Sequence, residues 1–415
     1  MCSFTNAPEV SLNGLRQWKK AGGRLCIYCA GLHGTEWFEI LSHFGIRPDL
    51  FLDNASEKWG QKLAGGVDCV SPMEIAGRDD CLTFVCAGPG SYQAIWETAR
   101  RQDIRHLTEI NTLVDHIISC HIDEYLELIR FHARQQTAGI FTYRPMREQW
   151  RRANRVSLAE GERIAVYTGI FGEYDRYLAP ACYPDHVDYY LISDQPMELP
   201  PQVSWIDGRS VIPRELRSPI RRNRYVKMHA HEIFNRYRYS AYVDGNVAVS
   251  GDMTNYLMHS AAGISAFMHP NVDCIFYEAF CITNDGRVNA DDVCAQMRRY
   301  RTEGMQIHFG MPEMCVVVRD HENAFGTKIM ETWWSEFCTG AQRDQLSFAY
   351  ALWKNGASID DVAFLGRSIH TCPDFTRYPH QRESMHVRNE SGAGEGRRDA
   401  RCGMTSDFVG GGPGL

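Results

Sequence analysis

Residues 239–249 read Tyr-Ser-Ala-Tyr-Val-Asp-Gly-Asn-Val-Ala-Val, and this stretch predicts how the rest of the chain is organised. Its β-branched and aromatic residues are typical of a buried strand, which Asp244-Gly245-Asn246 interrupts with a polar corner. The carboxylate of Asp244 and the amide oxygen of Asn246 can both face one hard cation there. Mg²⁺ and Mn²⁺ prefer oxygen ligands and keep positions open for phosphates, so the corner suits an ion that carries a nucleoside diphosphate. A plain Asx-Gly turn is the alternative.

Size and composition indicate an ordinary soluble globular chain and argue against nucleic-acid-binding and membrane-spanning proteins. The 415 residues are enough for two or three domains, and 44% hydrophobic with 23% charged residues is an ordinary globular composition. The net charge of −7 gives no general attraction to nucleic acid. We expect no membrane span and no secretory signal, because apolar runs are short and the first residues are polar. Fifteen scattered cysteines suit reduced thiols in a cytoplasm.

The first part of the chain has the order of a dinucleotide-binding unit. Residues 24–30 predict a strand, Gly31 to Gly34 a tight turn, residues 35–44 a helix and residues 50–53 a second strand that ends on Asp53. In that arrangement, the turn at Gly31 meets phosphate and the acid meets a ribose. Cys29 stands where the first glycine of the fingerprint belongs. We predict a Rossmann-like parallel-sheet domain over residues 22–112, after an N-terminal lead of residues 1–21.

A helical linker is predicted over residues 113–160, and a disordered tail over residues 382–415. The linker has apolar residues at helical spacing and then turns basic. Arg151, Arg152 and Arg155 there are interpreted as a solvated helix face, with contact to an anionic membrane surface as the alternative. The tail is polar and rich in glycine and arginine.

The second domain, residues 161–381, begins with two strands that each deliver the chain to a polar loop. Residues 163–175 run from an apolar strand into a Gly-rich turn, and residues 189–194 form another strand that ends on an acid. Such loops at the carboxyl ends of strands place ligands in α/β folds. We therefore assign four residues to binding of the nucleotide: Thr168, Gly172, Asp175 and Asp194.

A basic helix is predicted immediately before the Asp244 strand. We expect one helix from Ser218 to Tyr237, in which Arg221, Arg224, Lys227 and His231 share an arc of roughly 120°. The arc holds no acid for i,i+4 pairing, so it forms a cationic stripe suited to a diphosphate. A solvated basic face is the alternative.

Further candidates follow in the last third of the chain. Residues 266–271 and 274–279 are interpreted as strands that carry His269 and Glu278, and an acid in so apolar a run is seldom buried unless it is paired or functional. A loop containing Glu313 feeds another strand that ends near Arg319.

A helix and two histidines complete the candidate set. Asp344 and Gln345 occupy the first turn of a predicted helix, where an acid is often only a partner of the helix dipole. His370 or His380, in an irregular segment, is a candidate late imidazole ligand of the metal.

Several motifs in the second domain resemble a known family. They are Thr168-Gly-Ile-Phe-Gly-Glu-Tyr-Asp175, Leu191-Ile-Ser-Asp194, Tyr239-Ser-Ala-Tyr-Val-Asp-Gly245, His269-Pro270, Tyr277-Glu278, Trp333-Trp-Ser-Glu336 and Arg343-Asp-Gln-Leu-Ser-Phe348. Over residues 161–380 they resemble a glycosyltransferase-like domain, once classed as a domain of unknown function. That domain is known from plant proteins of pectin and mucilage biosynthesis and from bacterial polysaccharide loci. The first domain resembles small Rossmann-like domains attached to sugar acyltransferases and some bacterial glycosyltransferases. Such domains bind a nucleotide or serve only as a module for packing or assembly, and both interpretations stay open here.

The resemblance implies a GT-A-like nucleotide-sugar-binding α/β domain. Its donor would be a sugar nucleotide, with UDP-sugars as the leading candidates, and its acceptor a hydroxyl of a glycan or of another molecule. Asp244 matches the first acid of the family's metal motif, and Asn246 stands where many relatives have a second acid. Asp344 and Gln345 resemble a pair that lies beside the donor sugar in retaining enzymes, so by analogy we expect retention and Mn²⁺ or Mg²⁺ dependence.

The chemistry that this implies gives the remaining residues their roles. Glu278, Glu313 or Asp344 would deprotonate the acceptor hydroxyl or stabilise an oxocarbenium-like sugar. We expect work in a bacterial cytoplasm, with peripheral contact at the inner membrane as a variant. Two alternatives stay open: a sugar-modifying oxidoreductase centred on the first domain, and a non-catalytic carbohydrate-binding or assembly protein.

Overall fold

The computed structural model describes residues 7–87, 91–135, 153–284 and 288–380, and two main sheets follow one another along the chain. The first sheet is entirely parallel, with strands in the order β3-β2-β1-β4-β5. This order is that of a doubly wound fold, as predicted. Its strands are β1 (Arg24–Tyr28), β2 (Leu50–Leu52), β3 (Cys69–Val70), β4 (Cys81–Val85) and β5 (His106–Glu109). Its helices are α1 (Leu12–Lys20), α2 (Leu32–His43) and α3 (Tyr92–Arg101).

The turn after β1 explains the altered glycine fingerprint. Cys29 adopts a φ of 91°, so a non-glycine residue supplies the left-handed conformation that the tight turn needs. Gly34 in α2 is required for a different reason, because a Cβ there would lie 2.0 Å from the carbonyl oxygen of Cys29. The helix can therefore approach the strand closely only with glycine at this position.

Two helices, α4 (Ile110–Cys120) and α5 (Ile122–Gln135), connect the sheets and separate at His121. They pack on the second part of the chain through partly buried polar contacts. His308 bonds Asp273 at 2.6 Å and Asp115 at 2.8 Å. Burial alone would lower the pKa of His308, but its hydrogen bonds to Asp115 and Asp273 outweigh burial and raise the pKa to about 9. The predictions for Arg151 and Arg152 and for the tail lie outside the described residues. The helix face predicted at Arg155 is wrong, because Arg155 forms an isolated antiparallel bridge with Met258.

The second sheet has seven strands in the order β13-β11-β12-β9-β6-β7-β8. Strands β8, β7, β6 and β9 are parallel, whereas β12 runs antiparallel to both of its neighbours. A separate pair, β10 and β14, is antiparallel. The strands are β6 (Ile164–Ile170), β7 (Val187–Ser193), β8 (Val203–Asp207), β9 (Tyr239–Val243), β10 (Val247–Val249), β11 (Ile264–Met268), β12 (Pro312–Asp320), β13 (Ala363–Phe364) and β14 (Phe375–Arg377).

Seven helices accompany this sheet among the described residues, and two of them differ from expectation. They are α6 (Gly208–Val211), α7 (Pro219–Met228), α8 (Ala230–Ile233), α9 (Ile275–Asn284), α10 (Ala290–Thr302), α11 (Ala324–Thr339) and α12 (Asp344–Lys354). The strand predicted for residues 274–279 is wrong, because this segment begins α9. A short apolar run fits a buried helix as well as a buried strand. The single helix predicted from Ser218 is also wrong, since it breaks at His229, which has φ −111° and ψ 35°.

The predicted fold class, α/β in both parts of the chain, is confirmed. The domain boundaries stay predictions. No helix in the described ranges is both long and apolar enough to cross a bilayer.

Candidate functional site

The candidate site lies where the parallel strands of the second sheet end. Strand β9 is wholly buried up to Val243, and Asp244 follows at its carboxyl end. The backbone N–H of Asp244 donates to the carbonyl of Cys315 on β12 at 2.9 Å, and the N–H of Val247 closes the corner by donating to the carbonyl of Asp244 at 2.9 Å. The polar corner predicted from the sequence is therefore a fixed turn, with the Asp244 side chain 26% exposed.

Two acids meet two cations beside this corner. The Nζ of Lys227 lies 2.7 Å from Oδ2 of Asp344 and 3.6 Å from Oδ1 of Asp244. The Nε of Arg224 lies 3.0 Å from the same Oδ2 of Asp344. Lys227 is 1% exposed and Asp344 is 5% exposed. We call Asp244, Asp344, Lys227 and Arg224 the ion cluster.

Electrostatics keep Asp344 and Arg224 charged. Burial alone would raise the pKa of Asp344, but the charges of Arg224 and Lys227 outweigh burial and hold that pKa well below its usual range. Burial likewise opposes the charge of Arg224, yet Asp344 and Asp244 raise the pKa of its guanidinium above the ordinary value. Each charge depends on the others because water is largely excluded.

The cationic stripe is thus only partly available to a ligand. Lys227 and Arg224 already face Asp344, while Arg221 donates from Nε to the neutral Oε1 of Gln342 at 3.2 Å. His231 lies apart on α8. A phosphate at this place would compete with or join an existing ion pair.

Aromatic and arginine side chains that were not predicted as site residues support the ion cluster. Trp333 donates from Nε1 to the backbone carbonyl of Asp344 at 2.9 Å, and the Nζ of Lys227 lies 5.1 Å from the centroid of the Tyr242 ring. Buried Arg319 donates to the backbone carbonyl of Lys227 and to the hydroxyl of Tyr167. A charged residue at the end of the apolar run of β12 was the available signal for Arg319.

Gln345 and Glu313 lie where α12 meets β12. The amide of Gln345 donates to the carbonyl of Pro312 at 2.6 Å and accepts from the N–H of Met314 at 3.4 Å. It therefore brackets Glu313, the residue between them, and sets the position of α12 on the strand. Gln345 is tied to backbone on both sides of its amide.

Glu313 is a buried carboxylate with one paired oxygen. Its Oε1 accepts from Nη1 of Arg377 on β14 at 3.2 Å, and among the described residues its buried Oε2 has no hydrogen-bond partner. Burial raises the pKa of Glu313 to about 7, Arg377 opposes the rise and Asp244 adds to it. Arg377 lies in an irregular part of the sequence that gave no signal for this contact.

The remaining corner residues are held by the segment that follows β14. Asn246 is buried and donates from Nδ2 to the carbonyl of Tyr378 at 2.7 Å. The Oδ2 of Asp175 bonds Nδ1 of His380 at 2.8 Å and lies close to Gly245, where a Cβ would be 3.4 Å away. Asp175 is thus beside the corner, and His380 contacts Asp175.

The other nucleotide candidates are spread along the ends of β6 and β7. Asp194 accepts at Oδ2 from the N–H of Gly172 at 3.2 Å, so these two predicted residues do meet. A Cβ on Gly172 would lie 2.9 Å from Pro219 at the start of α7. Thr168 and Asp244 line one small recess.

Glu278, a predicted catalytic acid, lies beside His269. The Nε2 of His269 lies 3.9 Å from Oε2 of Glu278, which is in the first turn of α9. Burial lowers the pKa of His269 to about 4, with added effects from Arg377 and His370. Burial and Arg377 also lower the pKa of His370. His370 follows the Ser368 cap, and its ring belongs to this neighbourhood.

Gly31 and Asp53 belong to the other sheet. Gly31 precedes α2, and the carboxylate of Asp53 accepts from the N–H of Ala30 and of Ala55, each at 2.9 Å. Lys58 also donates to Asp53 at 2.8 Å. Asp53 therefore fixes the loops around the turn, and a ribose hydroxyl would have to share it with these donors.

Residues 213–364 match the family model described as "TOD1/MUCI70, glycosyltransferase-like domain". This stretch of the chain is thus similar to a glycosyltransferase-like domain. The resemblance predicted from the sequence is confirmed over this stretch, which includes the whole ion cluster. A comparison with curated proteins finds no match.

Solved structures of glycosyltransferases are similar at low levels. The apo structure of the bifunctional glycosyltransferase WbbM shares 11% identity and a TM-score of 0.32, over 51% of this chain and 40% of that one. Mouse xyloside xylosyltransferase 1 gives 9% and 0.29, over 46% and 82%. The mannosyltransferase Ktr4p of S. cerevisiae gives 8% and 0.27, over 56% and 75%. This chain thus spans well under half of the WbbM structure.

Proposed function

We propose that the protein transfers a sugar from a nucleoside-diphosphate sugar to a hydroxyl of a glycan or similar acceptor. UDP-sugars are the leading candidates for the donor. The observation that carries the proposal is the ion cluster, which holds Asp244 and Asp344 on two sides of Lys227 at the carboxyl end of β9. The glycosyltransferase-like match over residues 213–364 supports the same reaction class.

The donor set of the corner fits a hard divalent cation. Asp244 offers a partly exposed carboxylate, and the Nδ2 of Asn246 is fixed on Tyr378, which orients its amide oxygen away from that contact. Mg²⁺ and Mn²⁺ use few protein ligands when phosphates complete the shell. Bound there, the ion would supply positive charge for the departing diphosphate. His370, the third predicted ligand, stays a proposal.

The chain's own residues account for the other requirements of the reaction. The bond between the anomeric carbon and the phosphate oxygen breaks, an acceptor oxygen bonds to that carbon, and the hydroxyl proton must leave. Arg224 and Lys227 place positive charge where the leaving group gains negative charge. Asp344 stays ionised because of its cations, which suits stabilisation of an oxocarbenium-like sugar in a retaining reaction.

Glu313 is the better placed carboxylate to accept the proton of the acceptor hydroxyl. One of its oxygens is held by Arg377, and the other is buried without a hydrogen-bond partner in the described part of the chain. Glu278, paired with His269, is the second candidate for this role. We further propose a place in polysaccharide biosynthesis in a bacterial cytoplasm.

The test is calorimetric titration of UDP, GDP and UDP-sugars into the full chain, with and without Mn²⁺. Asp244→Asn removes a charge at nearly constant shape. Asp252→Asn is the matched control, because Asp252 caps the short turn at residues 253–256 and asparagine caps equally well. We expect Mn²⁺-dependent binding that Asp244→Asn weakens at least about tenfold and the control leaves unchanged.

Binding that needs no metal and is equal in both variants would contradict the proposed donor site. The same samples are then tested for release of UDP from the donor that binds. Loss of release in Glu313→Gln with binding retained would support the proton role, whereas equal rates would refute it.

A further inference from the structure

A second cluster of ligating side chains lies away from the ion cluster, between α8 and α11. His231 and Glu232 come from α8 and Glu331 comes from α11. One ligand atom from each lies within 4.8 Å of the others. The Nε2 of His231 is 2.9 Å from Oε1 of Glu331. Side chains from two helices thus converge on one point.

His229 adds a fourth side chain, and its tautomer is set by the structure. Its Nδ1 lies 3.1 Å from the backbone carbonyl of Tyr225, which can only accept, so Nδ1 carries the proton. In the neutral ring, Nε2 is then unprotonated and carries a lone pair. That lone pair faces Oε2 of Glu331 at 3.8 Å. A metal ion or a proton between these two atoms would satisfy both of them, and Glu232 also accepts from the hydroxyl of Tyr225 at 2.7 Å.

We propose that His229, His231, Glu232 and Glu331 form a Zn²⁺ site that ties α8 to α11. Imidazole nitrogens and carboxylate oxygens are ordinary zinc ligands, and bond lengths of about 2.0–2.2 Å fit between the facing groups after small side-chain shifts. The hydrogen bond from His229 to a backbone carbonyl is the usual support for a metal-bound histidine. Glu331 is half exposed, so an ion can reach the site from solvent.

Of the helices that the metal would join, α11 contacts the ion cluster, and α8 follows α7, which carries Arg224 and Lys227. The Trp334 ring on α11 packs edge-on to His229 at 5.2 Å, and its neighbour Trp333 donates to the backbone of Asp344. His229 directly follows α7, which carries Lys227. The role that follows is structural: the metal holds α11 and the α7–α8 break in one arrangement.

The experiment measures Zn²⁺ affinity of the full chain by competition with a chromogenic chelator. Asp244→Asn is the starting protein, so that the proposed donor-site metal does not contribute. We expect one equivalent of Zn²⁺, and Glu331→Gln or His231→Gln should each weaken binding by more than about tenfold. His186→Gln is the control, because His186 is an exposed histidine paired with a single acid, Asp252.

Unchanged affinity in the Glu331→Gln and His231→Gln variants, no Zn²⁺ bound to the starting protein, or equal weakening in the control would each overturn the proposal. If those variants fail to fold, Glu232→Gln changes an exposed ligand instead and should weaken binding in the same way. Co²⁺ added to the Asp244→Asn starting protein gives an independent readout. Visible bands of a tetrahedral site support the proposal, and a purely octahedral spectrum opposes it.

Discussion

Replacing Lys227 by methionine should destabilise the protein strongly although the two side chains have similar shapes. The substitution removes the closest cation from Asp344, whose carboxylate side chain is 7% exposed. Breaking a buried pair by removing one partner costs about 3–5 kcal/mol. Arg224 remains 3.0 Å from Asp344, so we expect the lower end, about 3 kcal/mol off the free energy of unfolding.

A double-mutant cycle with Asp344→Asn tests whether the loss comes from the pair. Asp344→Asn alone leaves Lys227 and Arg224 buried near a neutral amide, and should cost a similar amount. In the double variant Lys227 and Asp344 have both lost their charges, so neither residue leaves the other as an uncompensated buried charge. The cost should therefore fall short of the sum of the two single costs by about 1–3 kcal/mol.

The assay is urea unfolding at pH 7 for the wild type and the three variants. The pKa of Asp344 is depressed in the folded state, so its contribution is present above the unfolded pKa and is lost only as pH falls through the folded one. At pH 7 it is complete. Lys354→Met is the control, because its ion pair with Glu303 is exposed and should be worth at most about 1 kcal/mol. Additivity within about 0.5 kcal/mol in the cycle would refute the ion cluster as a coupled unit.

Three further outcomes follow from other contacts. The pKa of His308 is raised to about 9 from 6.5, so the stability that this residue contributes is present below pH 6.5 and is lost as pH rises through about 9. In the His308→Gln variant, the melting temperature should therefore vary less with pH over that window than in the wild type. Gly34→Ala should cost more than about 2 kcal/mol by thermal unfolding, whereas Gly31→Ala, with nothing within 4 Å of the new Cβ, should cost less than about 1 kcal/mol; equal costs would contradict the close approach. Asn246→Ala removes the bond to Tyr378 and should cost about 1–3 kcal/mol and speed proteolysis near Tyr378; an unchanged cleavage rate would contradict it.

Much of the fold was predictable because strand signals are local. The runs around Cys26, Val166 and Val243 combine β-branched and aromatic residues with polar or glycine-containing ends, and each became a buried strand. The segment that begins at Ile275 was mistaken for a strand because its apolar residues fit both periods. Its helical state depends on packing against α5, which no local pattern contains.

The sequence predicted several individual residues of the site, but it did not predict which of them contact one another. Asp244, Lys227 and Asp344 were each identified from the sequence, but the sequence placed Lys227 in a stripe open to a diphosphate. The structure turns it inward onto Asp344, because α7 packs along the sheet and α11. Arg319 was missed although a charged residue at the end of the apolar run of β12 was a signal, whereas Arg377 has no signal until its contact with Glu313 is known.

The charge of the ion cluster bears on how a donor would bind there. Asp244 and Asp344 are balanced by Arg224 and Lys227, so the cluster is close to neutral before any ligand arrives. A diphosphate brought alone would add uncompensated negative charge to a partly buried place, whereas a diphosphate with a divalent ion adds almost none. Lys227 lies between the two acids, and its position is held from behind by Arg319 on its backbone carbonyl. On this argument, nucleotide affinity should depend on the divalent ion through Asp244, and Asp344 should affect catalysis more than donor affinity.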